Sequence, residues 1–467
     1  MIRRLPRAAC SRTLCPMARL GGRALAALAI AVILGTTGGA RAAPYGLVVS
    51  VTGVTPGPFS ATVRWQVSAP ARVVVEYGLT DDYGVWSRRI VSGPDRSGRS
   101  GLAVLEPGHR YLFRVLARSG GLRGVAIGSL TTAPLPLWAG AVVTPRFLAV
   151  DGQPFFPRMV WNQCPWEYPQ SLAAGIDVFM GTGCSDLSGQ AAALRGRAFS
   201  ILSLDERGRE IPGTIGYHQP DEADEHVPSG SDLALLPPSS STRRPTYLTL
   251  TNHFFSGAAP LPQGRAVYPS FVSRAEMIGF DLYPLQIWCR RGTLQAVYDA
   301  QRELVALASG KPTYQWIEAG SMSTCPWLTP SPAIVRAETW LAIAGGARGI
   351  GWFPDYWSAD VAAEIGQLSN EIAALAPALL GDDAPSTVMP AGSPVRAGVR
   401  TYDGATYVIA VNSWITPVQA QIRVPGLSAT SVRVFGENTV LPVRNGTIVD
   451  SFRGLRAKVY VAAPSGL

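Results

Sequence analysis

Residues 45–134 alternate apolar and polar positions in short runs that are separated by turn-forming residues. In the run SATVRWQVSA, the apolar side chains Ala61, Val63, Trp65 and Val67 occupy every second position. A period of two places these side chains on one face of a strand, and several short strands at close spacing are typical of a β-sandwich. The segment therefore predicts an N-terminal β-sandwich of about ninety residues.

From residue 145 to residue 382 the pattern changes to short apolar runs, most of which follow a segment with helical periodicity. Eight runs fit this description, namely PRMVWNQ, DVFMGTG, AFSILSLD, TIGYH, TYLTL, MIGFD, PTYQWIE and ARGIGWF. Buried strands that alternate with helices predict a parallel sheet, and eight repeats predict a closed (β/α)8 barrel, or TIM barrel. The stretch ADVAAEIGQLSNEIAALAPALL is expected to form the last helix.

Between the fourth and sixth strands the barrel is expected to be irregular. The connecting stretches SGSDLALLPPSSSTRRP and SGAAPLPQGRAVYPSF are rich in Pro and Ser, which do not support regular helices. From residue 383 to residue 467 the chain returns to alternating strands, such as VRAGVRTYDGATYVIAVNS and AKVYVAA. This pattern predicts a second β-sandwich packed against the barrel, so the fold class is a multidomain protein around a central α/β barrel.

The first 42 residues form a segment of a different kind. A basic beginning is followed by the uncharged run ALAALAIAVILGTTGGA, and the segment ends in Ala40-Arg41-Ala42. This layout is typical of a signal peptide that is cleaved after Ala42, and it predicts a secreted, extracellular protein. An uncleaved membrane anchor is the alternative, but the apolar core is shorter than the ~20 residues that span a bilayer.

Removing this segment removes most of the basic character. The chain has 41 Lys and Arg and 32 Asp and Glu, but seven of the basic residues and none of the acidic ones lie in residues 1–42, which leaves 34 − 32 = +2. That balance gives no electrostatic reason to expect nucleic acid as a partner. Four cysteines remain, Cys164, Cys184, Cys289 and Cys325, and an even number in an exported chain predicts disulfides, with three pairings open.

Polar and aromatic side chains gather at the ends of the predicted barrel strands, where a (β/α)8 barrel carries its active site. Strand by strand, the residues expected there are Trp161, Asn162 and Gln163; His218, Asp221 and Glu222; Asn252 and His253; Asp281 and Tyr283; Gln315, Trp316 and Glu318; and Trp352, Asp355, Tyr356 and Trp357. Seven of the twelve tryptophans fall at strand ends or in the following loops, and flat rings suit the C–H faces of sugars. A carbohydrate is therefore the expected ligand.

Glu222 and Glu318 end the fourth and seventh strands and are expected to face each other across the mouth of the barrel. Hydrolysis of a glycosidic bond needs one protonated carboxyl group for the leaving oxygen and one ionised carboxylate for the oxocarbenium-like centre. A pair about 5–5.5 Å apart gives retention of configuration, and a wider pair gives inversion. The pair predicts a glycosidase, with Asp221 as the reserve candidate for the acid/base role.

The barrel segment resembles the superfamily of (β/α)8-barrel glycoside hydrolases. The resemblance lies in the opening phrase DGQPFFPRMVW, the strand ending FDLYP, and the two glutamates. It implies that Glu222 is the general acid/base and Glu318 the nucleophile of a retaining enzyme that acts on an oligo- or polysaccharide without a cofactor or a metal. The sequence departs from the superfamily at Asp221, where many members have Asn, and at Ala223, where Pro is more usual.

The N-terminal segment is similar to a fibronectin type III domain. The stretches ATVRWQVSAPARVVVEYGLT and LEPGHRYLFRVLARSG and the closing TTAP carry the similarity, with Trp65 as the core tryptophan and Tyr111 as the tyrosine after the PGH turn. Such a domain implies a spacer or a docking module. The β domains would then associate the protein with a cell wall or a polysaccharide.

The same map of the barrel predicts substrate contacts and disulfides. The carbohydrate is expected to contact residues on six strands: Trp161, Asn162, His218, Asp221, His253, Asp281, Tyr283, Trp316, Trp352 and Trp357. Neighbouring strands bring their following loops together. Cys164 is therefore expected to pair with Cys184 and Cys289 with Cys325, which would brace the loops that carry Trp166 and Trp327.

Two other functions stay open at this point. A metal-dependent hydrolase would draw its oxygen and imidazole ligands from one charged set, although no two of its histidines are spaced i, i+4: His218, Asp221, Glu222, Asp224, His226 and His253. Alternatively, the protein would be a non-catalytic, cell-surface carbohydrate-binding protein that keeps the barrel scaffold without turnover.

Overall fold

The computed structural model describes residues 46–80, 88–102, 105, 107–134, 140–226, 236, 238, 244–354 and 356–462. The signal peptide predicted over residues 1–42 and the candidate Asp355 lie outside these residues. Within the described ranges, no helix is long and apolar enough to cross a lipid bilayer.

The N-terminal part is a five-stranded antiparallel sheet formed by β1 Val49–Pro56, β2 Ala61–Gly78, β3 Arg88–Leu102, β4 Arg110–Ser119 and β5 Leu122–Thr131. The alternating side chains of β2 are buried as predicted, and the Trp65 indole Nε1 donates a hydrogen bond to Ser100 Oγ at 3.1 Å. Because β2 runs unbroken and pairs with β1, β3 and β4, the strands form one curled sheet rather than two stacked sheets. The similarity to a fibronectin type III domain is therefore not confirmed.

A three-stranded sheet leads into the barrel, with the strands β6 Ala141–Val143, β7 Leu148–Val150 and β8 Gln153–Phe155. Leu148 and Val150 pack in one cluster with Met159 and Phe199, which lie at or near the starts of barrel strands. This small sheet therefore covers the amino-terminal end of the barrel.

The central part is a closed barrel of eight parallel strands, which confirms the predicted fold. The strands are β9 Arg158–Trp161, β10 Val178–Met180, β11 Phe199–Ser203, β12 Thr214–His218, β13 Thr246–Leu250, β14 Met277–Asp281, β15 Thr313–Glu318 and β16 Ile350–Phe353. They pair in chain order, and β16 closes the ring onto β9. The run of buried residues along each strand reflects a sheet that is covered on both faces.

The helices around the barrel are regular in its second half and short elsewhere. They are α1 Tyr168–Ala173, α2 Leu187–Leu194, α3 Ala223–His226, α4 Tyr268–Val272, α5 Gln295–Leu307, α6 Pro332–Gly345 and α7 Ala359–Leu379, with 3₁₀ turns at Gly183–Ser185, Leu204–Glu206, Asn252–Phe254 and Arg265–Val267. The short α3 and α4 follow the fourth and fifth barrel strands, in the region where proline and serine predicted irregular connections.

Aromatic side chains pack directly against glycines inside the barrel. A Cβ atom at Gly279 would lie 2.0 Å from the ring of Tyr314, and one at Gly351 would lie 2.1 Å from the ring of Trp316. Thr249 links the two rings, because its Oγ1 lies 2.9 Å from the Tyr314 hydroxyl and accepts a hydrogen bond from Trp316 Nε1 at 3.3 Å. Trp316 is thereby fixed below the carboxyl ends of the strands.

The C-terminal part is an antiparallel sheet of nine strands around one core. They are β17 Asp382–Ala384, β18 Thr387–Met389, β19 Val395–Tyr402, β20 Ala405–Asn412, β21 Val418–Arg423, β22 Ser431–Val434, β23 Val440–Arg444, β24 Thr447–Phe452 and β25 Ala457–Ala462, in the order β17-β19-β20-β25-β22-β23-β24-β21-β18. Apolar side chains from both ends of this order share the core, which agrees with the predicted C-terminal β domain. The Arg400 guanidinium donates to the Ile343 carbonyl of α6 at 3.0 Å and so ties this domain to the barrel.

Candidate active site

The carboxyl ends of the barrel strands surround a cavity of about 460 Å³, called the barrel mouth below. Its lining combines carboxylates with aromatic side chains: Trp161, Asp221, Glu222, Glu225, Thr249, Thr251, Asn252, His253, Asp281, Tyr283, Ile287, Trp316, Met322 and Phe353. Two larger crevices, of about 600 and 740 Å³, lie between α7 and the β domains. The barrel mouth is the candidate active site because it alone of these three lies where a (β/α)8 barrel carries its catalytic groups.

Glu222 and Asp281 are neighbours at the mouth. Glu222 follows β12, Asp281 ends β14, and both side chains line the cavity. Burial, followed by the negative charges of Glu222 and Asp221, raises the pKa of Asp281 well above its ordinary value. The surroundings of Asp281 therefore favour its protonated form.

Asp221 is the third carboxylate of this cluster and stands at its solvent-exposed edge. The protein around the concave mouth displaces water from its carboxylate, and Glu222 adds a like charge beside it. Together these effects raise the pKa of Asp221 to about 7. The cluster therefore gains or loses a charge within the neutral pH range, as expected of acid and base groups in an enzyme.

The turn that presents Glu222 is strained and firmly anchored. Glu222 has a backbone φ of +48°, a left-handed conformation that costs a non-glycine residue roughly 1–3 kcal/mol. The next carboxylate, Asp224, is buried and accepts hydrogen bonds from Thr251 N at 2.9 Å, Thr251 Oγ1 at 2.6 Å and the Tyr268 hydroxyl at 2.9 Å. Asp224 therefore serves as the anchor of the turn, which holds Glu222 in place.

The structure does not bring Glu318 to the mouth. Its side chain is 0% exposed, and its two oxygens accept hydrogen bonds from the backbone amides of Leu285 at 2.9 Å and Gln286 at 2.8 Å. A further neighbour is the equally buried Glu338 of α6, whose pKa is raised by burial and by the charge of Glu318. A carboxylate held in this way has no access to a sugar in the mouth, so the position does not support the predicted nucleophile role.

The other predicted contact residues fall into three groups: some line the mouth, some are buried in the barrel wall, and some stand beside the mouth. Trp161, His253, Tyr283 and Trp316 line the mouth, as expected. Trp352 and Trp357 are buried instead, where their indole Nε1 atoms donate to Thr339 Oγ1 at 3.2 Å and to the Pro354 carbonyl at 2.8 Å, so they support the barrel wall rather than the mouth.

His218 and Asn162 stand beside the mouth without lining it. The His218 ring lies 4.8 Å from the ring of Trp161, its Nδ1 bonds the Gln219 carbonyl at 2.8 Å, and burial lowers its pKa. Asn162 is exposed and has a left-handed φ of +47°. His218 therefore positions Trp161, which does face the mouth.

Three apolar residues at the mouth were missed by sequence reasoning, besides the polar Glu225, Thr249 and Thr251. Phe353 ends β16, so the strand register could have identified it. Its ring lies 6.0 Å from the ring of Tyr283. Ile287 and Met322 lie in loops after β14 and β15, and no local pattern distinguishes them there. All three are apolar and extend the hydrophobic part of the lining.

The charged set proposed for a metal does not converge. Asp224 is bound to Thr251 and Tyr268, His218 to a backbone carbonyl, and His253 Nδ1 to the Ala259 carbonyl at 2.6 Å. Among the residues that the structure describes, no group of three His, Cys, Asp or Glu side chains has the arrangement of a metal site.

Two disulfides brace the loops beyond the strand ends. Cys164 is bonded to Cys184, with their Cα atoms 5.4 Å apart, and Cys289 is bonded to Cys325, with their Cα atoms 5.8 Å apart. This is the pairing predicted from strand adjacency. The first bond links the loops after β9 and β10, and the second links those after β14 and β15.

Comparison with known proteins adds a structural likeness at low identity. A GH30 endoxylanase from Clostridium papyrosolvens is 11% identical, with 66% of this chain and 96% of that chain covered and a TM-score of 0.41. An Anoxybacillus α-amylase is 10% identical (67% and 99% covered, TM-score 0.38), and a β-D-glucuronidase from Dictyoglomus thermophilum is 10% identical (69% and 68%, TM-score 0.34). No protein-family model and no curated protein matches the chain.

These solved structures are glycoside hydrolases, the superfamily that the barrel segment resembles. At such identities and TM-scores the likeness carries no argument about the chemistry of this chain.

Proposed function

We propose that the protein is a glycosidase whose working carboxyl groups are Glu222 and Asp281. The observation that supports this most strongly is that both carboxyl groups line the same cavity at the barrel mouth, where burial and the charge of Glu222 favour the protonated form of Asp281. Glycoside hydrolysis requires one neutral and one ionised carboxyl group at the same sugar. The mouth offers both within a cavity whose 460 Å³ lies in the ordinary range for ligand sites.

In this proposal Asp281 donates its proton to the leaving oxygen of the glycosidic bond. Glu222, as the carboxylate, faces the positive charge that develops at the anomeric carbon. A bound sugar would lie between the two carboxyl groups, because the reacting bond has to be reached by both of them. Asp221 keeps the proton on Asp281 through its own negative charge.

A carbohydrate is the proposed substrate because aromatic faces and carboxylates meet at the mouth. Trp161 and Trp316 have rings 6.0 Å apart, and Tyr283 and Phe353 add two more aromatic rings to the lining. Such rings contact the C–H face of a sugar while carboxylates bond its hydroxyls. The two disulfides support export from the cytoplasm, in line with the expected signal peptide.

The proposal is tested by replacing each carboxyl group with its amide. Glu222→Gln and Asp281→Asn should each lower kcat on aryl glycosides and polysaccharides by about 10²- to 10⁴-fold, since each removes a group that transfers a proton or stabilises charge. Asp403→Asn is the matched control, because Asp403 is a 64% exposed carboxylate on the C-terminal domain.

Glu318→Gln separates this pair from the one expected from the sequence. If Glu318→Gln abolishes turnover with unchanged folding while Asp281→Asn does not, the assignment to Asp281 is wrong. Retention of configuration, which was expected for the Glu222 and Glu318 pair, stays a prediction that proton NMR of the first-formed anomer would test.

A non-catalytic carbohydrate-binding protein is the second candidate, because the strand-seven carboxylate is withdrawn from the mouth. Such a protein would bind a polysaccharide but show no hydrolysis in the wild type or in any variant. A metal-dependent hydrolase would instead lose its activity in the presence of a chelator.

A further inference from the structure

The sequence Cys-Pro-Trp-x-x-Pro occurs twice in the barrel, at residues 164–169 and 325–330. The first copy follows β9 and the second follows β15, so both lie beyond the carboxyl ends of strands. In each copy the cysteine is in a disulfide, Cys164 with Cys184 and Cys325 with Cys289. The proposed chemistry at the mouth uses neither copy.

Each copy folds into the same closed turn. Glu167 N donates to the Cys164 carbonyl at 2.9 Å, and Leu328 N donates to the Cys325 carbonyl at 3.0 Å. Proline in the second position of such a turn fixes its φ in advance. With the disulfide at one end and proline next to it, both turns hold the following tryptophan on a rigid base.

The tryptophans of these turns point into solvent. Trp166 is 71% exposed and Trp327 is 70% exposed, whereas Trp316 and Trp340 are almost fully buried. Tyr356, in the loop after β16, is 67% exposed. Since β16 lies between β15 and β9 in the barrel, three consecutive loops each carry one exposed ring at the same end of the barrel.

We infer that Trp166, Trp327 and Tyr356 form a binding platform for the pyranose rings of a polysaccharide chain whose reacting unit lies in the barrel mouth. This inference rests on the proposed function and adds that the substrate is a polymer rather than a small glycoside. None of the three rings lines the mouth itself, so they contact units further along the chain.

Three properties favour a sugar chain as the occupant of this platform. Exposed rings contact the C–H faces of pyranoses through their flat surface. The rings stand singly among polar residues such as Ser321 and Thr329, whose hydroxyls are 2.9 Å apart, instead of merging into the continuous apolar patch typical of a protein interface. Their rigid turns also reduce the entropy lost on binding.

The test compares a polymer with a small substrate. In the double variant Trp166→Ala/Trp327→Ala, KM for the hydrolysed polysaccharide should rise by about tenfold, while kcat/KM for an aryl monoglycoside stays unchanged, because only the polymer reaches the platform. The variant Trp414→Ala is the matched control, since Trp414 is 50% exposed but belongs to the C-terminal domain. Thermal melting checks that the variants fold, and Trp166→Phe/Trp327→Phe, which keeps flat rings, should restore most of the affinity.

The outcomes distinguish this inference from the proposed function. If the wild type hydrolyses polymers and aryl glycosides and the double variant retains its KM on the polymer, the platform is wrong and the glycosidase stands. If no substrate is hydrolysed, the proposed function fails, and affinity electrophoresis in polysaccharide gels still tests the platform by the loss of retardation in the double variant. If the double variant instead changes the oligomeric state of the protein, the rings serve self-association and the inference is overturned.

Discussion

At the scale of single residues, the main feature of the barrel mouth is a cluster of three carboxyl groups, Asp221, Glu222 and Asp281, that do not all ionise together. Each negative charge raises the free energy of ionising the next, and burial adds to the effect. The surroundings of Asp281 therefore favour its protonated form, while Asp221, with a pKa of about 7, changes charge near neutrality. The division of roles follows from position within the cluster rather than from residue type.

Replacing Asp221 by Asn should move the alkaline limb of the activity profile to lower pH. The Asp221 anion is one of the charges that raise the pKa of Asp281, so removing it lowers that pKa and releases the catalytic proton earlier. A shift of about one pH unit in kcat is expected. Asp403→Asn, far from the mouth, should leave the alkaline limb of the pH profile unchanged. An alkaline limb that does not move in Asp221→Asn, or that moves to higher pH, would contradict this explanation.

At the scale of elements, a second buried acid pair joins β15 to α6. Glu318 of β15 and Glu338 of α6 are both 0% exposed, and among the described residues the Glu338 oxygens have no hydrogen-bond donor. Glu318 also holds the backbone amides of Leu285 and Gln286. The pair therefore fastens the loop after β14, which carries Tyr283 and Ile287 into the mouth, to the outer helix.

The variant Glu338→Gln should make the stability of the protein less dependent on pH. Burial and the neighbouring charge of Glu318 raise the pKa of Glu338, so above the ordinary pKa of 4.5 the folded state binds more protons than the unfolded state. Stability of the wild type is then greatest below that pH and falls as the pH rises towards the folded pKa. The amide introduced by Glu338→Gln can donate a hydrogen bond to Glu318 and does not titrate. The loss of stability with rising pH should therefore disappear in this variant.

Melting temperatures of both proteins across the pH range measure the effect. The difference in melting temperature, variant minus wild type, should grow with rising pH. Glu371→Gln is the control, because Glu371 is also on the barrel exterior but is paired with Arg336. Melting curves that stay parallel at every pH would show that the Glu318–Glu338 pair holds no extra proton.

At the scale of the whole molecule, the β domains and the barrel share close backbone contacts. Gly398 of β19 lies against α6, where a Cβ atom would come within 2.1 Å of the Ala344 carbonyl oxygen. Asp95 of the N-terminal sheet forms an ion pair with Arg433 of the C-terminal domain at 2.6 Å. We expect these contacts to couple the unfolding of the three parts, although the N-terminal sheet and the C-terminal domain each have a hydrophobic core of their own.

The substitution Gly398→Val should lower the free energy of unfolding by about 1–3 kcal/mol, because the helix backbone has no room to yield. Thermal and urea unfolding measure this loss, and a single transition is expected in both proteins. Gly121→Ala is the control, since a Cβ atom at Gly121 meets nothing within 4 Å. Separate transitions of barrel and β domain in the wild type would contradict the shared unfolding.

Much of the architecture could be predicted because it depends on patterns that are local in the chain. All eight barrel strands lie where apolar runs predicted them, since a buried strand needs nothing more than a short continuous apolar segment. Strand adjacency then gave the partners of Cys164 and Cys289. The N-terminal domain shows the limit, because alternation identifies strands such as β2 but not whether they divide into one sheet or two.

The active-site chemistry was only partly accessible in this way. The sequence by itself determined that Glu222 and Asp281 follow strands of the barrel and so lie at its carboxyl end. Only the tertiary structure decided that they line the same cavity, and that Glu318 turns from the mouth towards the amides of Leu285 and Gln286. The physical reason is that a strand fixes the position of its last residue, whereas the direction and protonation of that side chain depend on donors and charges that other parts of the chain supply.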